Sequence, residues 1–189
     1  MFGFNNFFGI AASTLSVLGF VPYIWAIAKG QGKPSAASWW TWAFLAIVTT
    51  ASSWSAGASW GVLMLPLWLC FSQLLIALLS VRHGDNNWDF LNKLCVGSAC
   101  VGVLLWGVTG QALVALVIGI IGDIFASIPN FRHVWANPEQ ESRAGWTLGW
   151  LASVLQIFAI SAWTVADSAW ALYFFCNMTI VFVLLWRKS

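Results

Sequence analysis

The sequence predicts an all-α membrane protein whose seven transmembrane helices form two three-helix repeats joined by one linker helix. Three observations predict it. Of 189 residues, 60% are hydrophobic and only 7% are charged, whereas soluble domains carry roughly 25% charged residues. Seven apolar runs approach the ~20 residues that cross a ~30 Å hydrocarbon core. The basic residues fall in alternate connections and near the C terminus, so the runs thread back and forth. Mean hydropathy is +0.82.

The runs lie at 6–28, 38–56, 61–81, 90–107, 112–135, 145–163 and 168–186. They are continuous rather than alternating, which predicts helices and not barrel strands. Polar connections follow runs 1, 3 and 5: KGQGK, RHGDNNWD and ANPEQESRAG. Small residues near Gly57–Ser59 and Thr109–Gln111 follow runs 2 and 4, and the connection after run 6 holds only Asp167. Lys29, Lys33, Arg82, Lys93, Arg132, Arg143, Arg187 and Lys188 all fall on one side. By the positive-inside rule that side is cytoplasmic, which sets the N terminus outside and the C terminus inside. Met1–Gly9 carries no positive charge and no small-residue cleavage pattern, so no cleaved signal peptide is expected. Most tryptophans cluster near run ends, as headgroup-level anchors do: Trp54, Trp60, Trp106, Trp163 and Trp170 on the outer side, Trp25, Trp39, Trp40, Trp135, Trp146 and Trp186 on the inner.

Punctuation repeats once along the chain. Pro22 and Pro129 stand 107 residues apart, as do Trp39 and Trp146; Trp60 and Trp170 are offset by 110. Three spans per unit would invert the second copy, and span 4 restores its direction. The expected plan is therefore 3+1+3 with parallel repeats: 1–81, a linker segment 82–111, and 112–189. Internal repeats of this kind are common in transporters.

The stretches GFVPYIWAIAKGQGKPSAASWWTW and IPNFRHVWANPEQESRAGW, with this topology, resemble the SWEET and PQ-loop superfamily of small-solute carriers. Pnu-type vitamin carriers share the seven-helix plan and the wealth of tryptophan. The resemblance implies hinges at Pro22 and Pro129, although the family's proline–glutamine pair is replaced here by Pro22-Tyr23 and Pro129-Asn130. Spans 2 and 6 lack the proline typical of sugar-carrying SWEETs. The resemblance also implies substrate contact by Asn177 and by Trp163 and Trp54, which match the family's binding positions.

The residues themselves point to the same region. Asn177 lies near mid-span 7 with Tyr173 one turn away, and an amide at that depth wants partners. Gln73 and Gln156 are further mid-span amides. Each of these also fits a plain interhelical packing bond, and Trp54 and Trp163 also fit lipid-interface anchors. Asp123 is the one acid deep inside a span. A carboxylate there costs about 2.5–3.5 kcal/mol on insertion scales, so it must face a cavity, find a partner or take up a proton. It reads as a proton or substrate-amine site, or as a structural acid. Pro66 reads as a tolerated mid-span proline.

Other classes fit poorly. Cys70, Cys95, Cys100 and Cys176 read as small packing residues with no metal spacing. His83 and His133 stand far apart. No phosphate loop, no nucleophile beside a base and no lysine in span 7 is present, so neither an enzyme nor a retinal protein is expected; no metal, no cofactor and no nucleic acid is implied. The expected function is transport of a small polar or aromatic solute (sugar, vitamin or amino-acid-like) by alternating access, with proton linkage an option. The rival reading is a non-transporting accessory subunit. The expected partners are the solute and the lipid bilayer, with homo-oligomerisation left open, in a bacterial or archaeal cell membrane.

Overall fold

Among the described residues the chain forms seven α-helices: α1 (Phe4–Ala28), α2 (Ala36–Ser55), α3 (Trp60–His83), α4 (Phe90–Thr109), α5 (Ala112–Ala136), α6 (Arg143–Phe158) and α7 (Val165–Trp186). The computed structural model describes residues 3–29, 36–83, 88, 90–136, 138 and 142–187, apart from the side chains of Pro22, Tyr23, Ala26, Ala28, Leu91, Pro129, Arg132 and His133. No strand occurs among the described residues. Four stretches, Phe4–Val21, Trp60–His83, Asn92–Thr109 and Val165–Trp186, are long and apolar enough to cross a membrane, consistent with an integral membrane protein. In α5 the apolar stretch is the shorter Ala112–Ile128.

Glycine chemistry sets two of the turns. Gly57 has φ 89° and Gly110 has φ 67°, a region that costs glycine nothing. At the end of α2 the Gly57 N–H reaches the Trp54 carbonyl and the Ala58 N–H reaches the Ser53 carbonyl, both at 2.9 Å. This is a Schellman closure. At the end of α4 a single bond from the Gly110 N–H to the Trp106 carbonyl, 2.7 Å, does the same work.

The expected span 145–163 ends early. α6 stops at Phe158, and residues 159–164 form an irregular connection. The cause lies in Asp167. Its Oδ2 accepts from the backbone N–H of Ser161 (2.8 Å) and Ala162 (2.9 Å) and from the Ser161 hydroxyl (3.1 Å). Its Oδ1 accepts from the Ser59 N–H at 2.6 Å. Thr164 caps α7 by accepting from the Asp167 N–H. One buried carboxylate thus ties the α2–α3 connection to the α6–α7 connection. Asn5 reinforces this end: its Nδ2 donates to the Phe158 carbonyl (3.2 Å) and to that of Ile160 (2.7 Å). These are carbonyls that the end of α6 leaves without helical partners.

Small residues let the helices approach closely. A Cβ on Gly9 would collide with the Gly61 carbonyl, and one on Gly61 would sit 2.9 Å from the Asn5 carbonyl. On α5, a Cβ on Gly119 would lie 2.6 Å from Thr49 of α2, and one on Gly122 would lie 2.7 Å from the Ser98 hydroxyl of α4. Such packing replaces the hydrophobic drive that is missing between helices in lipid. α3 packs against both α1 and α2, α7 against both α5 and α6, and the α1–α6 and α2–α5 pairs join these groups. α4 packs on α5 and α2.

Pro66 sits inside α3 and has no N–H to give the Val62 carbonyl. Gln156 of α6 supplies the missing donor: its Nε2 lies 2.5 Å from that oxygen, and its side chain is fully buried. A buried apolar cluster of Ala12, Leu65, Leu69, Leu116 and Trp170 draws on four helices, with Phe20, Ile120, Leu155, Tyr173 and Phe174 against it. Trp170 is therefore a core residue stacked on Phe174 at 4.9 Å, not the interface anchor that its place in the sequence suggested.

The opposite end carries the cations. Lys29 lies 3.5 Å from the centre of the Trp25 ring, Arg187 lies 3.9 Å from that of Trp135, and Arg143 lies 5.3 Å from that of Trp186. Arg187 also donates to the Trp135 carbonyl.

Removing the Asp167 carboxylate strands donors from two connections at once. Asp167→Ala should cost about 3 kcal/mol or more of unfolding free energy, because bonds to a charged acceptor are worth roughly 1.5–3 kcal/mol each. Asp167→Asn keeps one acceptor oxygen and should lose markedly less. Chemical unfolding in micelles measures both; equal losses would show that the carboxylate pair is not what holds this end.

Candidate functional site

Two helices each carry polar residues four apart. α5 bears Asp123 and Ser127; α7 bears Tyr173 and Asn177. A spacing of four puts each pair on one helix face, and α5 packs against α7. The four side chains meet. Asn177 Nδ2 donates to Ser127 Oγ at 2.6 Å and to Tyr173 Oη at 2.9 Å. Ser127 Oγ lies 3.4 Å from Tyr173 Oη and donates to the Asp123 backbone carbonyl at 2.9 Å. The Tyr173 hydroxyl also faces the Asp123 carboxyl group.

Donor counting fixes the direction of this network. Asn177 spends its amide hydrogens on Ser127 and Tyr173. Ser127 spends its one hydrogen on the α5 backbone. Tyr173 accepts from Asn177, so its own hydrogen is left for Asp123 or Ser127. Asp123, when ionised, can only accept. Ser127 and Asn177 are buried and Asp123 is half-buried. Polar groups withdrawn from water this far need such partners.

The cluster adjoins the apolar core built around Leu65, Leu116 and Trp170. Ile120 and Tyr173 pack against that core, and Asp123 and Asn177 each lie about one turn further toward the basic end. The other faces of α5 are pressed onto α2 and α4 through Gly119 and Gly122, which steadies the helix that carries the acid.

The sequence singled out Asp123, Tyr173 and Asn177, and the structure brings these three together. Ser127 was missed, although its position four residues after Asp123 was a usable signal. Gln156 lies elsewhere, on the Val62 carbonyl, with its Oε1 buried and without a partner. Gln73 is half-buried on α3, its Oε1 likewise unpartnered. Trp54 and Trp163 do not wall the cluster. Trp163 is in the α6–α7 connection and 72% exposed, because the Asp167 ties end α6 before it. Trp54 is 62% exposed and leans on Trp60 at 6.0 Å. It lines a lateral crevice of about 110 Å³ with Thr50, Leu63 and Leu67. Pro22 and Pro129 lie within α1 and α5, and their side chains fall outside the described residues. Among the described residues no group of three or more His, Cys, Asp or Glu could hold a metal ion.

No family model matches the chain, and neither a curated protein nor a solved structure shows significant similarity to it.

A double-mutant cycle on Ser127→Ala and Asn177→Ala should give a coupling of about 1 kcal/mol in unfolding free energy, the scale measured for interhelical hydrogen bonds in membrane bundles. Strictly additive losses would mean that the two side chains do not interact in the folded protein.

Proposed function

We propose that this chain is a small-solute carrier of the SWEET and PQ-loop type, in which two parallel three-helix units, α1–α3 and α5–α7, rock about a solute held at the α5–α7 polar cluster, with α4 as the linker. The observation that carries this reading is the cluster itself. Four interlocked polar side chains, one a carboxylate, meet inside the bundle, and ionisable residues within membrane helices mark solute or ion paths. The helix packing supports the two-unit plan. Exchanging α1, α2 and α3 for α5, α6 and α7 maps the main packing pairs of the two units onto one another, apart from α2–α7: the third helix of each unit touches both others, and α1–α6 maps onto α5–α2.

The charge distribution supports the orientation. The basic end would face the cytoplasm of a bacterial or archaeal cell, and the Asp167 end the exterior. The apolar core between the cluster and the Asp167 end would then close the outer side. Hinge motion at Pro22 and Pro129 would open one side as it closes the other, since a proline removes a helical hydrogen bond and leaves a bend that can flex. Proton coupling through Asp123 is part of the proposal.

A thermal-shift screen of the purified protein against sugars, amino acids and vitamins should find a stabilising solute, and reconstituted vesicles should take it up. Asn177→Ala should abolish that binding while the protein still folds. Uptake should change when the vesicles are given an acid gradient; indifference to the gradient removes proton coupling. An accessory subunit would bind and move none of the compounds.

Single cysteines placed at His83 and Trp163 in a cysteine-free background test the orientation, since both positions are exposed. An impermeant thiol reagent on intact cells should label only the Trp163 site. Labelling of His83 alone reverses the orientation.

A further inference from the structure

With Asp123 ionised, every hydrogen that the cluster's side chains can donate is already committed within it. Asn177 gives both of its amide hydrogens to Ser127 and Tyr173. Ser127 gives its hydrogen to the Asp123 backbone carbonyl. The hydrogen left to Tyr173 turns inward as well, toward Asp123 or Ser127. What remains to meet a solute is acceptors: the oxygens of Asp123, and Oδ1 of Asn177. Among the described residues no cation faces Asp123, and the Tyr173 hydroxyl lies against its carboxyl group.

We infer that the solute presents a positively charged nitrogen bearing N–H groups, a primary ammonium or an amidine-like group, to Asp123. This inference rests on the carrier reading and narrows it to one chemical class.

Three physical arguments converge. A half-buried carboxylate that meets no cation among the described residues is costly, and a cationic solute is the partner that would relieve it. An anion would meet the carboxylate with no cation among the described residues to offset the repulsion. A neutral polyol could donate to Asp123, but its own oxygens would find no free donor, and unpaired buried acceptors are penalised. Sites built on such matching reject analogues that lack the matching group far more sharply than sites built on shape alone.

The test uses paired compounds that differ only in that group: benzylammonium with benzyl alcohol, cyclohexylammonium with cyclohexanol, pyridoxamine with pyridoxine. Binding to the purified protein is read by thermal shift, and uptake is measured in reconstituted vesicles. The ammonium member of at least one pair should bind and its neutral counterpart should not. Asp123→Asn should weaken that binding roughly thirtyfold, the scale for losing one partner of a buried charged bond, while Asp123→Glu keeps most of it. The parent protein alone decides the matter if a variant fails to fold, because the paired comparison needs no substitution. Neutral members that bind as well as their ammonium partners overturn the inference, and so does unchanged ammonium binding by Asp123→Asn. Either result leaves a carrier with a different solute class. If no pair member binds, and vesicles take up neither these compounds nor any sugar, amino acid or vitamin, the carrier reading falls and takes the inference with it.

Discussion

The hydrogen bonds from Asn177 to Ser127 and Tyr173 are the contacts on which the polar cluster depends. The bond to Ser127 joins α5 to α7, the two together fix which way each hydroxyl points, and Asp123 is left to the network as an acceptor. A helix bundle in lipid gains little from burying one more apolar face against another. What specifies its arrangement is close packing at small residues and the need to satisfy every polar atom from within. The same logic recurs in this molecule. Gln156 answers the carbonyl that Pro66 leaves open, Asn5 answers the carbonyls at the end of α6, and Asp167 gathers backbone donors from two connections.

These ties divide the molecule by depth. At one end the connections are locked together by Asp167 and Asn5. At the other end arginine and lysine lie over tryptophan rings, which suits a charged headgroup region. Between them sit the apolar core around Leu65 and Trp170 and, next to it, the polar cluster. Closure on one side of a polar centre is the minimum that alternating access requires.

Much of this was legible in the sequence, for reasons that can be named. Helix positions followed from run length and from polar punctuation, and most boundaries fell within a residue or a few of the expected ones. α6 broke that pattern because its end is set by a tertiary tie to Asp167, which hydropathy cannot register. Asp123, Tyr173 and Asn177 stood out because each is a polar residue at depth, and depth can be read from an apolar run. Trp54 and Trp163 were misplaced beside them because tryptophan serves both lipid interfaces and binding walls, and only three-dimensional context tells these apart. Gln156 looked like a site residue for the same reason as Asn177. Its partner is a backbone oxygen orphaned by a proline on another helix, and that pairing is invisible without the fold. Ser127 escaped notice because a lone serine in a membrane helix usually bonds its own backbone, as this one also does.

The most direct test of the central claim asks whether the cluster is reached from both sides of the membrane. A single cysteine at Ser127, in a protein whose four native cysteines have been replaced, keeps the side chain nearly unchanged in size. Alternating access predicts that impermeant thiol reagents label it from either face of a sealed vesicle, and that a bound solute protects it from both. Complete protection from both faces in the folded protein, with or without solute, would contradict the account and leave the cluster as interhelical glue.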